Sequence, residues 1–153
     1  MKVRYINRQD KSDPKNGLVV SDPDTLTELL DGQRNRTPFM ADLTGDNEFE
    51  LMIGLGGDLG CAQFGRADGG PPYLMAVSAH PPSVKAGYVE FLATGAPTPV
   101  AARYIISFGE LKQIANHFLN TGGCTNAVSW QEFDPGAARD DVLRASQSGK
   151  RTE

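Results

Sequence analysis

Thiols, histidines and long apolar runs are all scarce in this sequence. Cys61 and Cys124 are the two cysteines of a 153-residue chain, too few and too far apart for a disulfide framework, so both are read as buried free thiols. The two histidines, His80 and His117, form with them none of the Cys-x-x-Cys or His-x-x-x-His spacings that hold zinc. No metal or cofactor is expected. No apolar run approaches the roughly eighteen residues of a membrane span, and the segment from Met1 to Tyr5 lacks the apolar centre of a secretory signal, so a cytoplasmic protein without membrane contact is the expectation. Basic charge is also short. A net charge of −4 speaks against a general nucleic-acid binder and favours a basic partner.

What remains is ordinary globular material, 39% hydrophobic and 22% charged, in a length that fits one domain with a core of its own. Residues 1–17 are polar with turn formers at Asp13-Pro14 and Asn16-Gly17, and form either an edge strand through Val3, Tyr5 and Ile6 or an arm. Leu18-Val19-Val20 reads as a strand. Asp22-Pro23 then caps a short helix whose apolar face is Leu26, Leu29 and Leu30, ended by Gly32. Period-two alternation follows in Phe39, Ala41 and Leu43, and again in Phe49, Leu51, Ile53 and Leu55, with a third strand from Leu59 to Phe64. This is a three-strand meander. Further strands are expected over Tyr73–Val77 and Tyr88–Leu92, between breaks at Pro81-Pro82 and Gly95–Pro99.

The most legible unit runs from Arg103 to Phe133. Arg103-Tyr104-Ile105-Ile106 reads as an apolar strand entering a helix over 107–121, because Ser107 and Glu110 have the spacing of a capping box. Leu111, Ile114, Ala115, Phe118 and Leu119 make one helical face, and Gly122-Gly123 supplies the left-handed terminator. Ala127 to Trp130 returns as the strand beneath it, with Trp130 set in the core. Residues 134–153 turn polar and are expected to be a tail, disordered or a frayed helix, beyond a single domain over 18–133. The fold class is α+β: a mainly antiparallel twisted sheet with one long and one short helix packed on one face.

Candidate chemistry is thin. Gly54-Leu55-Gly56-Gly57-Asp58-Leu59-Gly60 lacks the following helix and the glycine spacing of a dinucleotide loop, and reads as a hairpin turn. The acidic group Asp42, Asp46, Glu48, Glu50 and Asp58 says more, since no Lys or Arg occurs between Thr37 and Gly65. Alternation turns Asp42, Glu48 and Glu50 away from the core, with Asp46 and Asp58 at turns, which gives one outward negative strip. Such a strip either keeps a sheet edge soluble or docks on a basic groove built to hold nucleic acid. Paired carboxylates acting as acid and base are a third option, without a recognisable pocket.

Leu51-Met52-Ile53-Gly54 with Gly57-Asp58-Leu59-Gly60, and Phe118-Leu119-Asn120-Thr121-Gly122-Gly123 running to Val128-Ser129-Trp130, resemble the first-numbered immunity-protein family of bacterial polymorphic toxin systems. The resemblance spans Val19 to Phe133. Cys124-Thr125, where relatives often carry a basic residue and proline, and the Pro81-Pro82 loop depart from the family pattern. The resemblance implies an immunity protein that binds a cognate toxin domain, most often a nucleic-acid deaminase acting on cytosine, and occludes its active site or substrate groove. The chain itself has neither the His-x-Glu nor the Pro-Cys-x-x-Cys set of a zinc deaminase, so it would be the inhibitor and not an enzyme. The acidic residues Asp42, Asp46, Glu48, Glu50 and Asp58 are then the candidate partner contacts. The alternative is a small-molecule-binding or hydrolytic domain with a pocket near Cys61, His80 and His117.

Overall fold

The computed structural model describes residues 1–151, with side chains through Gln147. In chain order the elements are β1 (Val3–Asn7), β2 (Val19–Val20), α1 (Pro23–Gln33), β3 (Phe39–Gly45), β4 (Phe49–Gly56), β5 (Leu59–Arg66), β6 (Leu74–Val77), β7 (Tyr88–Ala93), β8 (Ala96–Ala101), β9 (Ile106–Ser107), α2 (Phe108–Thr121), β10 (Ser129–Glu132) and α3 (Pro135–Arg151). The principal path of the sheet is β10-β6-β5-β4-β3-β1-β2, all antiparallel, and the β7–β8 hairpin branches from β3 through a single parallel pairing, Phe39 with Leu92. The fold is α+β, as the periodicity predicts.

One face of the sheet carries the main core. Tyr5, Leu43, Leu51 and Ile53 point into it from the strands, and α1 and α2 close over them with Leu26, Leu30, Leu111, Ile114 and Phe118. Each fully buried side chain of this size stabilises the fold by about 1.5–3 kcal/mol relative to its exposed state. The two helices begin as their sequences require. Asp22 accepts from the Thr25 amide at 2.9 Å, and Ser107 and Glu110 exchange both bonds of the capping box at 3.1 Å. Helix α1 runs one residue past Gly32, because Leu29, Leu30 and Gln33 are all buried and hold the last turn. Trp130 packs on the same core, its ring edge-on to Phe64 at 6.5 Å and its indole N–H donating to the Thr125 carbonyl at 2.7 Å.

Several elements differ from the sequence expectation. Strand β1 is neither an arm nor an edge, since β2 takes the outermost place and Val3, Tyr5 and Asn7 are buried. The following loop is fastened by Asp13, which accepts from Asn7 Nδ2 at 3.0 Å, and by the Asn7 carbonyl oxygen Oδ1, which accepts from the Gln9 and Asp10 amides. Arg103-Tyr104-Ile105-Ile106 is not one strand. Residues Ala102–Tyr104 form a 3-10 turn, and Tyr104 and Ile105 are buried in a second core on the opposite face of the sheet. Of residues 134–153, expected as a tail that is disordered or a frayed helix, Pro135–Arg151 form α3, which packs Ala138 and Val142 against that second core and pairs Asp141 with Arg103 at 2.6 Å, while residues 152–153 lie outside the described residues.

The turn after α2 is the tightest point of the fold. Gly122 is left-handed at φ 75°, its carbonyl accepts from Asn47 Nδ2 at 3.1 Å, and an added Cβ would collide with the Asn47 side chain. Gly122→Ala is therefore expected to destabilise by more than the about 1 kcal/mol lost in Ser107→Ala. Urea titration of both variants checks the order, and an equal or smaller loss for Gly122→Ala contradicts the double constraint on that residue.

Candidate functional site

Alternation sends every second side chain of β3, β4 and β5 to the face away from α1 and α2. There Asp42 lies opposite both Ile6 and Met52, and Met52 opposite Gln63. The cover on this face is partial. The β7–β8 hairpin, the 3-10 turn and α3 shield Met40, Cys61 and Met75, while the part over β1, β3 and the start of β4 stays open, with Ile6 36% exposed.

The five acidic residues do not form one strip. Asp42 and Glu50 share the open face, and the β3–β4 turn at its end carries Asp46 and Glu48. Asp58 sits at the opposite end of β4, about 25 Å away along an eight-residue strand, and pairs with Arg34 at 3.2 Å. Most of the others are partly compensated. Asp46 accepts from the Lys2 amide at 3.3 Å, and Glu48, left-handed at φ 72°, lies 4.0 Å from Arg66.

Asp42 departs most from the outward solvated carboxylate that alternation implies. Its side chain is only 15% exposed, and Arg8 Nε donates to one oxygen at 2.7 Å. The other oxygen is buried without a partner. Burial holds the carboxyl above its usual range even though Arg8 opposes the shift. Glu50 is raised too, first by burial and then by the Asp42 charge, against Arg8. Among the described residues Glu50 enters no ion pair, and Arg8 pairs with Asp42. Sequence reasoning missed Arg8 because the pairing of β1 with β3 is non-local.

A cavity of about 150 Å³ adjoins these residues, lined from the sheet by Met40, Met52, Cys61 and Met75 and from the cover by Tyr104 and Phe133. Gln63, Thr98 and Pro99 are more exposed and mark its mouth. The alternation that turns Phe39, Ala41, Leu51 and Ile53 inward puts Met40 and Met52 on the outward side, and an apolar residue at an outward position is the signal in the sequence for a second buried surface.

Cys61, His80 and His117 do not converge. Burial pushes the Cys61 thiol up to about 12 and the Cys124 thiol up to about 11, so neither supplies a thiolate at neutral pH. His117 lies on α2, which packs on the main-core face, whereas Cys61 belongs to the second core. His80 is exposed in a loop, its amide donating to Ser78 Oγ at 3.1 Å. No group of three or more His, Cys, Asp or Glu side chains that could hold a metal ion occurs among the described residues. No helix among them is long and apolar enough to cross a membrane.

The sequence model of the family described as immunity protein Imm1 matches residues 15–132, which takes in every element from β2 to β10. No curated protein matches the chain.

A folded carboxyl that holds its proton more tightly than the unfolded one removes stability as pH rises through the carboxylate range. Glu50→Gln is therefore expected to flatten the fall in stability between about pH 4 and pH 6 and to raise the Tm at pH 7 by roughly one to three degrees. Thermal melts across that range check this, and a Tm below wild type at pH 7 contradicts the crowding of charge around Arg8.

Proposed function

The chain belongs to the Imm1 family of immunity proteins, and from that membership we propose that it protects its host by binding a cognate toxin domain of the nucleic-acid deaminase class, in the cytoplasm, within a polymorphic toxin system. The observation that carries this reading is the family match across residues 15–132. The mechanism is occlusion by a folded surface. A deaminase groove that accepts a polyanion is basic, and the carboxylates of this chain steer association toward it and compete with the substrate's phosphates.

Asp42, Glu50, Asp46 and Glu48 form the proposed acidic contact surface, gathered at one end of β3 and β4. Asp58 belongs to a different part of the surface and contributes only to the long-range field. The inhibitor needs no catalytic group for this task. Its protonated thiols and separated histidines suit a protein that acts through shape and charge.

The test pairs this chain with the toxin domain of any polymorphic toxin encoded beside it. An equimolar amount of the chain is expected to abolish its cytosine deamination on a defined oligonucleotide, and full activity in the presence of excess chain contradicts the reading. Reversing Glu48 and Glu50 together to lysine is expected to slow association about tenfold at low ionic strength with folding unchanged by circular dichroism, the difference shrinking at high salt. An association rate that stays the same at low salt removes these carboxylates from the mechanism.

A further inference from the structure

The Met-lined cavity and the under-compensated carboxylates lie side by side on one face of the sheet. Asp42 is the cross-strand neighbour of Met52, and Glu50 stands two residues before Met52 on the same strand and face. Such neighbours are about 5–7 Å apart, the distance between adjacent side chains on a single strand or helix turn of a partner.

Each half is incomplete in the free protein. The cavity holds about 150 Å³ of room between largely apolar walls and opens at Gln63, Thr98 and Pro99, space enough for one small ring. Its walls include three methionines, whose flexible thioethers adapt to an incoming group and make favourable contacts with aromatic edges. Beside it, one Asp42 oxygen is buried with no protein hydrogen-bond partner, Arg8 pairs with Asp42, and Glu50 enters no ion pair among the described residues. A buried acceptor left unpaired is costly, and a cation brought to it removes that cost.

We propose that this composite site is where the toxin domain seats a two-part anchor: an aromatic or large aliphatic side chain that enters the cavity between Met52, Gln63 and Thr98, and an adjacent Lys or Arg that pairs with Asp42 and Glu50. The proposal rests on the reading of the chain as an immunity protein. It commits to the toxin as occupant because Glu50, which enters no ion pair among the described residues, leaves a carboxylate on this face that a cation of a nucleic-acid-binding surface would meet, and because Met52 both lines the cavity and stands opposite Asp42. Interfaces concentrate their affinity in such central pockets, with an apolar anchor and a desolvated charge. The site also explains why the open face carries apolar Ile6 among charges, since Ile6 borders Asp42 and extends the apolar part of the contact.

Thr98 is exposed at the mouth, so Thr98→Trp closes the cavity without disturbing the core. Dissociation constants for the cognate toxin domain are measured for wild type, Thr98→Trp, Glu50→Lys and two variants on the helical face, Gln113→Trp and Glu28→Lys. Thr98→Trp and Glu50→Lys are each expected to weaken binding at least thirtyfold, and the helical-face variants by less than threefold. Wild-type affinity in Thr98→Trp overturns the proposal while leaving the functional reading intact, and a wild-type chain that fails to bind the toxin overturns both. In the toxin-free protein, benzene as a probe is expected to shift the ε-methyl resonances of Met40, Met52 and Met75 in wild type but not in Thr98→Trp, and unmoved wild-type resonances count against the cavity as a receptor. A dimer of this chain that Thr98→Trp dissociates would assign the site to a second copy and overturn its assignment to the toxin.

Discussion

A sheet whose strands bury apolar side chains on both faces must be covered on both, and here the second cover stops short. Helices α1 and α2 seal the main-core face with a continuous set of buried leucines, isoleucine and phenylalanine. The opposite face receives only the β7–β8 hairpin, a 3-10 turn and α3, which shield Met40, Cys61 and Met75 and leave Ile6, Asp42, Glu50 and Met52 at the border between core and solvent. That border is where burial and charge conflict, and it gives the molecule its distinctive surface. Most other ion pairs are exposed and of little energetic consequence, and the one fully buried carboxylate among them, Asp13, is held by both Asn7 and Arg36.

The conflict is local and quantitative in character. Arg8, just past the end of β1, reaches Asp42 across the β1–β3 pairing, and Glu50 on the same face is left without an ion pair among the described residues. A free protein carrying a buried acceptor without a protein partner next to an open apolar cavity is prepared for a partner that supplies both missing groups. Membership of an immunity-protein family implies a toxin partner, and the proposed role of this arrangement is to meet it. The match ends at residue 132, before α3, so the helix that walls one side of the cavity lies outside the matched region.

How much was legible follows from how local each signal is. The capping box at Ser107 and Glu110, the terminating Gly122, the meander of β3 to β5 and the α+β class all rest on contacts between near neighbours in the chain, and they were readable. The inner position of β1 depends on pairing Val3 with Gly45, which no local pattern encodes. Pro97 and Pro99 suggested a break, yet β8 pairs with β7 alone, and a strand with one free edge tolerates residues that lack an N–H. Asp134-Pro135 repeats the cap-and-proline signal of Asp22-Pro23, and the Asp134 carboxylate accepts from the Ala137 amide at 3.1 Å, so α3 was announced by a motif that the charged composition around it obscured. The acidic residues were found by composition, but their division between two ends of β4 and the burial of Asp42 needed the register.

The partly covered face of the sheet, and not the helical face, is proposed to meet the toxin. Methyl resonances of the chain in complex with its toxin domain test this most directly. The account predicts that signals of Ile6, Met40, Met52 and Met75 move on saturation, while those of Ile114, Leu26 and Val128 in the main core stay in place. Movement confined to the residues under α1 and α2, with the methionines unchanged, would contradict it.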